Sequence, residues 1–204
     1  MSTNELNLIA NQKTNLPIGK ILGVVEIVGA PMLLLQFLIG GIEQNSSSPN
    51  NSSLVSALGV LYIGGWIGGA IGMFRQKIYG ETTAAKIVFT LQIISLTLAF
   101  LFSIQETLGV SYESGGKFFF VCDMGYPASH LFMIVVGVFV LRAKRLKNFT
   151  RFAPFLVGAA LPVTMLLGGF VGMIAGVCLF GGLTTAGLGM IGYSVYSNRQ
   201  QIII

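Results

Sequence analysis

FAPFLVGAALPVTMLLGGFVGMIAGVCLFGGLTTAGLGMIGYSVYS, residues 152–197, contains no charged side chain. A helix crosses the hydrocarbon core of a bilayer in about 20 residues, so this run is too long for one crossing and right for a hairpin of two. Glycine places the turn, at Gly176 or at Gly181-Gly182, and the sequence does not choose between them. The rest of the chain has the same character. Of its 204 residues 53% are apolar, 27 are glycine and only 9% are charged, against about 25% charged in an ordinary soluble domain. Mean hydropathy is +0.80. Seven acids and twelve bases cannot cover the chain with solvated charge, so lipid is the solvent for most of its surface.

Outward from that run, the sequence predicts an all-α integral membrane protein with six transmembrane helices at about 20–42, 54–74, 84–103, 118–141, 152–175 and 177–197. Residues 1–19 form a polar tail without the basic start, short apolar core and small-residue cleavage site of a secretory signal, and residues 198–204 form a short C-terminal end. No room remains for a soluble catalytic domain. The loop after helix 4 holds Arg142, Lys144, Arg145, Lys147 and Arg151, and the loop after helix 2 adds Arg75, Lys77 and Lys86. The loops after helices 1, 3 and 5 together hold only Lys117. Basic loops stay on the cytoplasmic side, which predicts both termini in the cytoplasm. The net charge of +5 is therefore a topology signal, with no nucleic-acid partner implied; the lipid bilayer is the partner the composition requires.

Small residues let helix backbones approach in lipid, where no hydrophobic force drives them together. Gly64, Gly68 and Gly72 in helix 2, with Gly65 and Gly69 beside them, and Gly168, Gly172 and Gly176 in helix 5 are the candidate packing faces. They serve either the bundle itself or a docked partner, whether a second copy or another membrane protein. The two halves also share a pattern. Glu26 precedes Gly29-Ala30-Pro31 as Asp123 precedes Gly125-Tyr126-Pro127, with one residue deleted. Three helices per half would make the halves an inverted repeat, as in many secondary transporters.

Helix 4 carries the chemistry. Asp123-Met124-Gly125-Tyr126-Pro127-Ala128-Ser129-His130 holds the only aspartate and the only histidine of the chain. At 100° per residue, Asp123, Tyr126, Pro127 and His130 share one face. An ionisable group facing lipid at mid-depth costs about 2.5–3.5 kcal/mol on insertion scales, so the stripe faces other helices or water. It is read either as a proton-titrating or ligand-binding site or as a polar cluster that pins helix 4. Glu26 is a further candidate, near the cytoplasmic end, where a solvated carboxylate is the simpler expectation. Trp66 is expected to pack against a glycine groove. Phe118, Phe119 and Phe120 are expected as an interfacial belt, and Cys122 and Cys178 as free, buried thiols. Asn-x-Ser sequences in the 43–53 loop would accept glycans only in a eukaryotic secretory route.

Tyr126-Pro127-Ala128-Ser129-His130 resembles the Pro-Ser-Gly-His element of the membrane phosphatidic-acid phosphatases over five residues. That family needs a second histidine and an arginine-rich phosphate clamp; this chain has one histidine, so the chemistry does not carry over. An intramembrane aspartyl protease needs two aspartates, and a retinal protein needs a lysine deep in its last helix. Metal sites need clusters of His, Cys or carboxylate. No cofactor and no metal is expected, and a lipid-modifying enzyme is a distant third reading. The segments around His130, Arg142–Leu146 and Arg151 resemble small bacterial membrane proteins and point to a bacterial inner membrane. The leading expectation is a small-solute or proton transporter or sensor using Asp123 and His130, and the second is an accessory or scaffold subunit.

Overall fold

A computed structural model describes residues 18–43, 52–146 and 148–197, and among these every regular element is helical. Six helices are long and apolar enough to cross a membrane, which makes this an all-helical integral membrane protein. They are α1 (Ile18–Gly40), α2 (Ser52–Arg75), α3 (Thr83–Thr107), α4 (Tyr112–Ala143), α5 (Ala153–Val171) and α6 (Met173–Ser197). The 1–17 tail, the acceptor asparagines of the loop's Asn-x-Ser sequences and the C-terminal end lie outside the described residues.

Local chemistry sets several boundaries. Pro31 lacks an N–H and leaves the Ile27 carbonyl without its helical donor, and α1 is interrupted at Ala30 and Pro31. The Thr185 hydroxyl, on α6, donates to the Ala30 carbonyl at 3.0 Å there. Thr82 caps α3 by accepting from the Ala85 N–H. Ser111 and Ser114 form a reciprocal capping box at the start of α4, the pairing that satisfies orphan first-turn donors. Gly172, at φ +87° and ψ 158°, breaks the charge-free run in a backbone region essentially reserved for glycine. The turn between α5 and α6 thus falls four residues before Gly176.

Consecutive helices pack side by side, α6 closes on α1, and α2 also reaches α6. A twofold relation between halves would match that last contact with one between α5 and α3, and among the described residues no Cα atoms of those two helices approach within 8 Å.

Glycines set the closest crossings. A Cβ on Gly29 would lie 2.7 Å from the Gly65 Cα, and one on Gly23 would lie 2.6–2.9 Å from backbone atoms of Gly192 and Tyr196. The backbones of α1 and α2, and of α1 and α6, therefore meet directly. Of the expected ladder in α2, Gly68 faces Val25 and Gly72 faces Val195, whereas Gly64 has only the Phe100 ring at 3.7 Å. The tighter row is Gly65 and Gly69. The second ladder does not form a face: Gly172 is the turn, with nothing within 4 Å of a Cβ built on it, so Gly168 and Gly176 belong to different helices.

The end of the bundle bearing the basic loops is sealed by the α2–α3 connection. Ile78 and Tyr79 are buried there, and Gln76 Nε2 donates to the Val195 carbonyl at 2.6 Å. Glu81 bridges Lys77 at 3.1 Å and Arg145 at 2.9 Å, and hydrogen bonds from these two cations hold its carboxyl below the usual carboxylate range. At the opposite end Phe118 and Phe120 are exposed as a belt requires, but Phe119 is buried against Phe102 and Tyr112. Both thiols are free; Cys122 is buried and Cys178 is exposed, a correction to the expectation of two buried ones.

Candidate functional site

His130 lies at the centre of α4, fully buried. Its Nδ1 is 2.7 Å from the Val157 carbonyl oxygen on α5. Three ring centroids surround the imidazole: Trp66 of α2 at 4.9 Å, Tyr126 of α4 at 5.1 Å and Phe180 of α6 at 5.1 Å. Tyr62, one turn from Trp66 on α2, extends the cluster, 5.8 Å from Trp66 and 6.2 Å from Tyr126. Trp66 thus packs in a T-shaped arrangement against His130. Small residues make these contacts reachable: Gly158 brings α5 so close that a Cβ there would lie 3.0 Å from the His130 carbonyl oxygen.

Glu26 corrects the expectation of a solvated carboxylate. Its side chain is 0% exposed, and it occupies the space beside Gly69, where a Cβ would fall 1.9 Å from Glu26 Cδ. Gly23, Glu26 and Gly29 follow at three-residue spacing, so the carboxylate rides on the face of α1 that meets its neighbours. Tyr62 is within electrostatic reach of Glu26. So is Tyr79 in the sealing loop, where burial and then the Glu26 charge push the phenol well above its usual range.

Asp123 does not join this cluster. It is half-buried at the far end of α4, where Tyr112 donates its hydroxyl hydrogen to Oδ2. Eleven residues of continuous helix would separate those two by about 16 Å. Gly116, at φ 58° and ψ −147°, breaks the helix and lets Tyr112 reach back. Asp123 and His130 share a face as expected, but seven residues hold them about 10 Å apart along the axis and each has its own partner. Ser129 donates to the Gly125 carbonyl of its own helix at 2.8 Å, so its hydroxyl hydrogen is engaged within α4.

The interior is rich in unmet polar groups. Both Glu26 carboxylate oxygens, Trp66 Nε1, His130 Nε2 and Thr184 Oγ1 are buried with no hydrogen-bond partner among the described residues, and the Tyr62 and Tyr126 hydroxyls approach each other. Each unmet buried group costs about 1–3 kcal/mol, and buried groups left so are rare in proteins. Such a concentration on four helices, with a carboxylate and an imidazole among them, could take up protons or small polar species. Among the described residues no three His, Cys, Asp or Glu side chains gather as metal ligands.

Sequence reasoning singled out His130, Tyr126, Glu26 and, for packing alone, Gly69, but missed Tyr62, Phe180 and Thr184. Tyr62 carried a signal, a phenol four residues before the single tryptophan in an otherwise apolar helix; Phe180 and Thr184 carried none. No protein family, curated protein or solved structure matches the chain.

Proposed function

We propose that this protein moves or senses protons, or a small solute coupled to them, through the interior of its six-helix bundle, with Glu26 as the principal titrating group. The observation behind this reading is the Glu26 carboxylate itself, fully buried with both oxygens unpartnered. Keeping an ionised, uncompensated carboxylate out of water costs several kcal/mol, and membrane proteins bear such costs along proton and ion pathways. His130 is the second candidate station. Asp123 is demoted to a structural contact at the outer end. The basic loops support an arrangement with both termini in the cytoplasm of a bacterial cell. The scaffold reading loses its chief support, because Gly65, Gly68, Gly69 and Gly72 are consumed by contacts within the chain.

The test is proton movement in liposomes carrying a trapped pH dye and a potassium diffusion potential. Wild-type protein should dissipate the imposed gradient faster than empty liposomes, and Glu26→Gln should return the rate to the empty-liposome value. Equal rates for wild type and empty liposomes would overturn the transport form of the proposal.

A further inference from the structure

The bond between His130 and Val157 fixes more than the ring's position. A peptide carbonyl can only accept a hydrogen bond, so the nitrogen 2.7 Å from it, Nδ1, carries the hydrogen. In the neutral ring the lone pair then sits on Nε2, which is buried and has no partner among the described residues. A relay that takes a proton at one ring nitrogen and passes it on from the other needs an acceptor at both. The Val157 carbonyl is not such an acceptor, so a proton that enters at Nε2 must leave from Nε2.

We propose that His130 is a reversible proton-binding switch at Nε2 and not a pass-through relay, its imidazolium being housed by the rings of Trp66, Tyr126 and Phe180. Protonation forms one Nε2–H bond with a proton supplied from the bundle interior, converts the ring to a cation, and leaves the Nδ1–H bond to Val157 in place. Ring centroids at 4.9, 5.1 and 5.1 Å, with ring planes inclined at 67°, 67° and 45°, lie within the roughly 6 Å reach of a cation–aromatic contact. The titratable groups on the surrounding elements are Tyr126 on α4 and Tyr62 on α2, with Glu26 of α1 beyond Tyr62. At this point α5 presents the Val157 carbonyl and α6 presents Phe180, neither of which titrates. This deepens the proposed function and takes from it only that protons reach the bundle interior.

The chain holds one histidine and one tryptophan, so both partners can be read without ambiguity. An imidazolium quenches indole fluorescence far more than a neutral imidazole does. Trp66 emission of the full-length protein in liposomes should therefore fall in a single one-proton transition as pH is lowered, and His130→Gln, which can still donate to Val157, should abolish the transition. Nitrogen NMR of histidine-labelled wild type supplies the second readout: Nδ1 should remain protonated throughout while Nε2 changes from bare to protonated over the same pH interval. Nδ1 found bare at neutral pH, or Nε2 unchanged down to the pH of unfolding, would overturn the inference. A titrating Trp66 in protein that conducts no protons would sink the transport proposal and leave this one standing. Normal conduction with a flat Trp66 titration would do the reverse.

Discussion

Gly69 and Glu26 occupy each other's space: the absent Cβ of one is where the carboxylate of the other sits, 1.9 Å from Cδ. Replacing Gly69 by alanine therefore expels the carboxylate or separates α1 from α2. Overpacking of this kind costs about 1–3 kcal/mol, more than the roughly 1 kcal/mol that alanine gains over glycine in a helix. Gly69→Ala should lower the unfolding temperature in detergent, and Gly64→Ala, whose nearest neighbour is the Phe100 ring at 3.7 Å, should not. Pairing Gly69→Ala with Glu26→Ala should restore much of the loss, and strict additivity in that cycle would refute the contact.

Asp123→Asn should leave proton movement within about twofold of wild type, since a change below 0.5 kcal/mol is typical away from a critical group. Glu26→Gln should eliminate it. A loss in Asp123→Asn equal to that in Glu26→Gln would return Asp123 to the site.

Gly172→Ala should destabilise the α5–α6 hairpin by about 1–3 kcal/mol, the cost of an ordinary residue in that backbone region, although nothing lies within 4 Å of the added methyl. Gly182→Ala, where nothing lies within 4 Å either and the backbone is helical, is the control and should be neutral or better. Equal melting behaviour of the two variants would contradict the strained turn.

The Glu81 bridge should respond to acid with a definite sign. Because Lys77 and Arg145 depress the carboxyl's folded-state pKa, the bridge contributes above the ordinary glutamate range and is lost only as pH falls through the depressed value. Carbon NMR of the Glu81 carboxyl should show a midpoint below the ordinary range, rising when Lys77 and Arg145 are both changed to methionine. A midpoint that ignores both cations would show that the bridge does not form in the membrane.

The six spans were legible because hydropathy is a property of each segment alone, and residues 152–197 declare themselves without reference to anything else. His130 was legible for a similar reason, since any mid-helix imidazole must turn inward. Glu26 was misjudged because its depth from the helix end suggested a route to water, and what closes that route is a missing side chain at position 69 on another helix. Asp123 shares a face with His130, as a helical wheel shows, but a wheel is silent on what each side chain meets. Nor could the wheel foresee that the break at Gly116 would hand Asp123 a different partner. The second glycine ladder failed because four-residue spacing carries meaning only inside one helix, and Gly172 ends one.

Gly23 and Gly29 bring α1 into backbone contact with α6 and with α2, one on each side of Glu26. Side-chain rotation alone, a picosecond-to-nanosecond event, cannot open a route past main chains that touch. Helices must part instead, and collective motions of that kind take microseconds to milliseconds. On the proposed proton reading, the glycines that pack α1 would set a kinetic limit, governing how often the carboxylate meets the outside, separately from how tightly it holds what it meets.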